Sequence, residues 1–260
     1  MKYLFHNIAK YREYILFSAK AQLKSELANL SLGWLWWILE PTFFMLVYWF
    51  VYTVIFHRQT EYIAAVLNIG VMYWSFFSKC ATSSVNLIRR NSSILSKVSI
   101  PKFIFVCTIM TVNGFKMVCA ILPLIGFMTF YGIRVSWGIL YVIPATISFF
   151  VMVFVLCCWF MHIGVYIKDI ERVVPLVLRV LFFLSGVFYP VDVRLGAELA
   201  DIMLKINPFA TIITDARGAI LYGLPSHWIH LGVHFAIFVV MGIIIIALIK
   251  KYESQYIKLV

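Results

Sequence analysis

Acidic residues are scarce in this chain. Asp and Glu number 11 among 260 residues, against 22 Lys and Arg, and all charged residues together make up 13%. A soluble domain is about a quarter charged and about half apolar, whereas 63% of this chain is hydrophobic. That balance excludes an ordinary soluble domain. It also turns the net charge of +11 into a topological signal, because Lys and Arg stay on the cytoplasmic side of a membrane protein. Cysteine is sparse as well. Cys80, Cys107, Cys119, Cys157 and Cys158 lie in or beside apolar runs without CxxC spacing, so buried free thiols are expected and neither a disulfide framework nor a zinc site is suggested. No GxxxxGK[ST] occurs, so the chain carries no phosphate cradle of that type for ATP. The opening MKYLFHNIAKYREYILF lacks an apolar core followed by a small-residue cleavage site, and no cleaved signal peptide is expected. Sequence repeats, low-complexity segments and a soluble domain are also missing.

Long apolar runs are abundant. Runs near 34–56, 62–82, 103–131, 137–166, 173–190 and 228–249 reach or approach the roughly 20 residues that cross a bilayer as a helix. The expectation is an all-α integral membrane protein, residues 1–260 forming one transmembrane domain of six transmembrane helices. Basic residues concentrate in the N-terminal tail (Lys2, Lys10, Arg12, Lys20, Lys24), after the second span (Arg89, Arg90, Lys97, Lys102), after the fourth (Lys168, Arg172) and at the C-terminus (Lys250, Lys251, Lys258). The opposite side holds Arg58, Arg134, Arg194, Lys205 and Arg217. This bias predicts a multi-pass protein of the cytoplasmic membrane with both termini cytoplasmic.

Two further segments do not read as spans. In 8–27, Ile8, Tyr11, Ile15, Ala19, Gln22 and Leu23 share a stripe while Lys10, Lys20 and Lys24 lie off it. That pattern predicts an amphipathic helix in the cytoplasmic interface, basic face towards anionic headgroups. The external stretch 191–228 carries breakers at Pro208, Gly218, Gly223 and Pro225, just after Pro190. Short re-entrant or surface helices are expected there, between the fifth and sixth spans, with any irregular backbone covered by protein or lining water.

The first span concentrates the candidate chemistry. Trp37, Pro41, Phe44, Tyr48 and Tyr52 fall on one helical stripe, with Trp36 and Glu40 on its neighbour. Aromatic faces stack on the C–H faces of sugar rings while Trp N–H and Tyr O–H reach hydroxyls. An interfacial aromatic belt explains Trp34, Trp36 and Trp37 equally well, but explains the deeper Phe44 and Tyr48 poorly. Glu40 either marks the helix start, favoured by the N-terminal dipole, or faces protein or water with Lys79 or Lys116 as partner. Ser75, Lys79, Thr82 and Asn86 form a polar stripe on the second span, and Asn113 and Lys116 lie within the third. Both patterns argue for faces turned away from lipid. His227, His230 and His234 have a spacing that could hold a metal, yet no acid or cysteine is near in sequence, so an interfacial cluster is expected. No catalytic triad order or local carboxylate pair stands out. The cytoplasmic stretch from Arg89 to Pro101 embeds Ile94, Leu95 and Val98 among turn formers, which suits a brief amphipathic helix docking in a partner's groove.

Five pieces in order carry a family resemblance: LGWLWWILEP at 32–41, ILSKVSIPK at 94–102, KDIERVVP at 168–175, SGVFYP at 185–190 and NPFATIITDARGAILYG at 207–223. Together they resemble the membrane subunit of the ATP-binding-cassette exporters that move O-antigen, teichoic acid, capsule or related glycans. The resemblance implies a non-enzymatic permease, a homodimer served by two copies of a separate nucleotide-binding subunit that holds ATP and Mg²⁺, and no cofactor in this chain. It implies a channel lined by Trp36, Trp37, Phe44, Tyr48 and Tyr52, with Glu40, Lys79 and Lys116 as polar channel or pairing residues. The loop of Arg89, Arg90, Asn91, Ile94, Leu95 and Lys97 would couple to the ATPase. Phe188, Tyr189, Pro190, Asn207, Pro208 and Arg217 would form an external gate. Lys20, Lys24, Arg90 and Lys97 are the candidates for a carrier diphosphate. This chain departs from the family pattern at Asn29-Leu30-Ser31 and at Glu40. The expected substrate is a lipid-linked cell-surface polysaccharide crossing the cytoplasmic membrane. The alternatives are an ATP-driven exporter of drugs or small lipids, and a membrane-embedded transferase acting on a lipid-linked sugar.

Overall fold

The computed structural model describes residues 2–28, 31–55, 57, 61–191, 196–224 and 227–259. Among these all the regular structure is helical, without a strand. Helices α1 (Lys2–Lys10) and α2 (Arg12–Leu27) open it, followed by a 3₁₀ turn, α3 (Trp36–Phe50) and a π-helical turn at Val51–Ile55. Next come α4 (Ile63–Val85), the short α5 (Leu87–Arg90) and α6 (Ser92–Leu95), α7 (Phe103–Cys119), α8 (Ile121–Phe130) and α9 (Val142–Tyr166). The last are α10 (Ile170–Leu184), α11 (Ala197–Ile206), α12 (Pro208–Arg217) and α13 (Trp228–Leu259). Asn29 and Leu30, where the family pattern is broken, and Arg58, Arg194 and Pro225 lie outside the described residues.

Helix α4 is the axis of the bundle. In its apolar window 83% of residues are buried, against 17% for the first span, which places α4 at the centre and α3 at the periphery. α3, α7, α9, α10 and α12 pack around α4, and α13 packs on α9. α4 can be central because it is apolar nearly all round from Ala64 to Phe77. The 28-residue third span is broken at Ala120. Pro123, in the first turn of α8, has no N–H to offer the Cys119 carbonyl, so α7 ends there.

Five helical stretches are long and apolar enough to cross a membrane: Gly33–Ile55, Ile63–Val85, Phe103–Phe130, Trp137–Tyr166 and Trp228–Glu253. They match five of the six expected spans closely. The fifth expected span, 173–190, is different. Helix α10 has 15 residues and stops at Leu184, because Ser185 leads into Gly186 at φ +63°. At 1.5 Å per residue α10 reaches about 22 Å, short of the roughly 30 Å hydrocarbon core. Irregular chain from Ser185 to Val191 follows it, with Ser185, Val187, Pro190 and Val191 buried.

The N-terminal region departs from a single helix at 8–27. It begins at Lys2 and steps at Tyr11, where the Tyr11 and Ile15 amides still continue the helical hydrogen bonding. Ile15 and Ala19 of the expected stripe are buried, but Gln22 is exposed. Leu16 and Phe17 point outward on the other side, so apolar groups occupy both faces. The helices run along α7: Tyr3 meets Phe103 and Tyr14 meets Phe105, each edge-on at 6.0 Å. The C-terminal tail is a helical continuation of the last span. There Glu253 pairs with the buried Lys102 at 3.4 Å and Lys250 lies 5.0 Å from the Tyr3 ring. Burial and the neighbouring Glu253 raise the Tyr3 phenol above its ordinary pKa. The basic segments of the two termini and of the loop before α7 therefore meet at one end of the bundle.

Candidate functional site

The aromatic stripe of the first span divides. Trp37 stands edge-on to Phe115 of α7 at 5.5 Å, and Pro41 beside it is buried. Tyr52 is buried with Met45, Ile63, Ala64 and Leu67. The wider π-helical turn at Val51–Ile55 accounts for that, since it rotates Tyr52 out of the α-helical phase set by Phe44 and Tyr48. Trp36 is exposed and does not line the groove that holds Phe44 and Tyr48. Phe44 and Tyr48 line a groove of about 540 Å³ between α3, α4 and α10.

The helix registers order this groove from charge to aromatic rings. α3 supplies Glu40, Phe44 and Tyr48, α4 supplies Thr82, Lys79, Ser78, Ser75, Trp74 and Val71, and α10 supplies Pro175, Leu178, Arg179, Phe182 and Phe183. Successive turns from Glu40 to Tyr48 cover about 12 Å. The end nearer α5 is thus polar. The far end is a cage of rings: Tyr48 lies 5.3 Å from Phe182 and 6.2 Å from Phe188, and Trp74 lies 5.6 Å from Phe182. Ser75, Lys79 and Thr82 share the groove face as their spacing predicts. Asn86 does not. It is buried at the end of α4, with no partner for its Oδ1 among the described residues.

The structure settles the pairing of the charged residues. Lys79 Nζ donates to Glu40 Oε2 at 2.7 Å across the floor of the groove. Lys116 instead reaches Glu26, at the end of α2, at 2.5 Å. The two pairs are close, since Trp37, Lys79, Asn113 and Lys116 line one small cavity of about 30 Å³ between α3, α4 and α7. Glu26 escaped the sequence reading because nothing local indicates that α2 runs along α7. Arg179 also escaped it, although an arginine inside an apolar run was a visible signal.

The expected gate residues are brought together, and three of them, Asn207, Arg217 and Tyr189, hold backbone. Asn207 caps α12, its Oδ1 accepting from the amides of Phe209 at 3.0 Å and Ala210 at 3.3 Å, with Pro208 at the first helical position. Its Nδ2 donates to the Leu184 carbonyl and to Ser185 Oγ, each at 3.0 Å, which closes the end of α10. Arg217 is 4% exposed and donates to the carbonyls of Val66 (2.9 Å), Gly186 (2.8 Å), Val187 (2.6 Å) and Tyr189 (3.1 Å). Irregular backbone at membrane depth needs such cover. Phe188 joins the ring cage, and Tyr189 packs edge-on to it at 5.0 Å while its hydroxyl donates to the Phe183 carbonyl at 3.1 Å. Buried Pro190 ends this turn.

In the loop of α5 and α6, Leu95 is buried while Ile94 and Val98 stay exposed, so one apolar residue anchors the loop and two remain on its surface. Arg89 donates to the Gly164 carbonyl at 2.5 Å, a cation set at the C-terminal end of α9. Asn91 bonds back to the Leu87 carbonyl. Arg90, Lys97, Lys20 and Lys24 are exposed and none lines the groove.

The histidines separate into different environments. His227 pairs with Asp215 at 3.1 Å and stacks on His230, whereas His234 contacts the Leu204 carbonyl at 3.2 Å. No cluster of three or more metal-binding side chains exists among the described residues. The five cysteines are free, and Cys80, Cys157 and Cys158 are buried. On the exposed α11, a hydrogen bond from Lys205 holds the Asp201 carboxyl below its usual range.

No family model matches the chain. It is 23% identical over 257 residues to the O-antigen export system permease protein RfbA of Klebsiella pneumoniae, covering 98% of this chain and 97% of that protein. It is 24% identical over 221 residues to the protein of the same name from Myxococcus xanthus, covering 84% of each. Similarity to the polysialic acid transport protein KpsM of Escherichia coli runs over 247 residues at 23% identity, covering 90% of this chain and 91% of the relative. The family resemblance carried by the five motifs is therefore matched by full-length similarity to polysaccharide-export permeases. With the five long apolar helices, it identifies a multi-pass membrane protein similar to transport permeases.

Proposed function

We propose that the chain is the permease subunit of an ATP-driven exporter that carries a lipid-linked cell-surface polysaccharide across the cytoplasmic membrane. The observation that carries this reading is the groove between α3, α4 and α10. It sets the rings of Phe44, Tyr48, Trp74, Phe182 and Phe183 beside the hydroxyls of Ser75, Ser78 and Thr82. Sugars present the same two surfaces, apolar C–H faces and hydroxyl edges. Full-length similarity to O-antigen and polysialic acid permeases supports the substrate class. Two copies would meet with their grooves facing, α10 acting as a sixth, broken span completed by the Ser185–Val191 turn. Both termini would be cytoplasmic, where their basic residues gather.

ATP and Mg²⁺ would be held by a separate ATPase subunit docking on the α5–α6 loop, where Ile94 and Val98 offer an exposed apolar contact. Motion of that loop would reach the groove directly, because α5 continues from α4. Aromatic faces hold each sugar weakly, which a conduit requires, since a tightly held unit would stall the chain as it does in ion pores.

Phe44→Ala combined with Tyr48→Ala tests the reading in cells that depend on the chain for surface polymer. Both side chains are partly exposed in the groove, so normal protein levels are expected with at least a tenfold drop in surface glycan and accumulation of polymer inside. Normal surface glycan in that variant would overturn the conduit. An exporter of small lipids predicts tolerance of the change.

A further inference from the structure

Arg179 gives the groove a chemical preference. Its helix, α10, is otherwise apolar from Val173 to Leu184, apart from this one side chain. Arg179 lies nine residues beyond Ile170, about 14 Å along the helix axis. It lines the groove together with Lys79, Glu40 and Thr82. Lys79 is already neutralised by Glu40, whereas no hydrogen bond, ion pair or ring contact joins the Arg179 guanidinium to any described residue. The groove lining therefore carries one surplus positive charge, within one helix turn of the Phe182 ring. An arginine at membrane depth is costly and stays only where water or a partner meets it. Its planar fork of N–H donors matches phosphate and carboxylate in a two-point geometry that lysine does not reproduce.

We infer that Arg179 is an anion-binding residue of the groove, recognising a phosphate or carboxylate on the translocated saccharide while the rings above it hold the neighbouring sugars. The inference rests on the export reading above, and it names the substrate as one that carries an acid. The spacing suits this division of labour. Arg179 lies three residues, about 4.5 Å, from Phe182 along α10, while Glu40 lies about 12 Å from Tyr48 along α3, so an acidic group on Arg179 would sit directly beside the ring that holds the next sugar. The acid has two sources, the diphosphate of a lipid carrier and the carboxylate of an acidic sugar. The exposed Lys20, Lys24, Arg90 and Lys97 lie off the groove, so Arg179 is the better placed of the basic residues to read either one.

The test uses the full chain in nanodiscs of neutral lipid, with labelled inorganic pyrophosphate, a short sialic acid oligomer and an uncharged malto-oligosaccharide as probes in equilibrium dialysis. Charge-assisted hydrogen bonds of this type correspond to about a ten- to hundredfold change in affinity. Arg179→Gln should weaken at least one acidic probe by that factor and leave the neutral probe within about twofold. Arg179→Lys should keep part of the acidic affinity, and neither variant should lower the melting temperature, since Arg179 has no partner to lose among the described residues. Loss of pyrophosphate binding alone assigns the carrier diphosphate, loss of the sialic acid oligomer alone assigns an acidic sugar, and loss of both assigns the shared acid group. The inference is overturned if wild type binds neither acidic probe, or if Arg179→Gln leaves both unchanged or weakens all three alike. Should Phe44→Ala/Tyr48→Ala abolish export while Arg179→Gln binds normally, the anion site alone is wrong. The converse result leaves the anion site standing and removes the conduit.

Discussion

Arg217 holds together a stretch of backbone that no helix covers. Its guanidinium serves Val66 on α4 and three carbonyls of the turn after α10. Lysine has three donors on one atom and cannot span these sites. A buried carbonyl left unsatisfied costs about 1–3 kcal/mol, so Arg217→Lys should lower the melting temperature of the purified protein clearly, and Arg217→Met further. Gly70→Ala should do the same by another route, because a methyl there would collide with the Val187 carbonyl and the Arg217 guanidinium. Melting curves in a fixed detergent check both, and unchanged curves would remove Arg217 from this role. By contrast the Lys79–Glu40 pair is about two-fifths exposed, and its coupling in a double-mutant cycle should stay near or below about 1 kcal/mol. The sequence shows Arg217 as a basic residue within the external stretch 191–228, but not its hydrogen-bond partners. The backbone partners of Arg217 follow only from the three-dimensional meeting of α4, α10 and α12. Lys116 illustrates the same limit, since its partner Glu26 lies on a helix whose course along α7 leaves no local trace.

Among the elements, those built from long apolar runs were legible. Helix α4, the third and fourth spans and the start of α13 begin and end close to where hydropathy places them. The fifth was not, because hydropathy continues through SGVFYP while the backbone turns at Gly186. The last helix continues beyond the expected span at 228–249, because the charges there mask a helical stripe of Ile249, Tyr252 and Tyr256 that packs inward. Tyr256 meets His162 of α9 at 2.5 Å, and burial, with Tyr166 and Cys158 nearby, raises its phenol above the ordinary range. The same helix carries Glu253 to Lys102, which is 3% exposed. Removing one member of a buried pair leaves the other charge without compensation, whereas removing both is far less costly. Glu253→Ala should therefore destabilise the protein by about 3 kcal/mol, and Lys102→Met/Glu253→Ala should recover much of that loss. Thermal unfolding of the two variants side by side measures it. If the double variant is worse than the single, the pair contributes net stability and this account of the junction is wrong.

At the scale of the molecule, one copy leaves the groove open on the side of α3 and α10. Phe44 is 51% exposed and Phe183 58%, and the neighbouring Phe43, Val47, Leu176 and Val180 are exposed beside them. A wall formed by α3 and α10 alone cannot enclose a sugar chain, and a groove containing Arg179, Lys79 and Glu40 is poorly suited to acyl chains. A second copy related by a twofold axis would close it, each α3 facing the partner's α10 and the apolar rims sealing the passage from lipid. Such an interface is isologous, so contacts come in symmetric pairs. Cysteines placed in a background lacking the native Cys80, Cys107, Cys119, Cys157 and Cys158 test the arrangement. Phe43→Cys or Val47→Cys combined with Leu176→Cys or Val180→Cys should give an oxidised dimer of about twice the 30.1 kDa chain mass. Ile244→Cys, on the exposed outer side of α13, should remain monomeric under the same oxidation. Crosslinks through α13 with none through α3 and α10 would put the groove against lipid. The aromatic and charged residues lining it would then need a role other than guiding a saccharide.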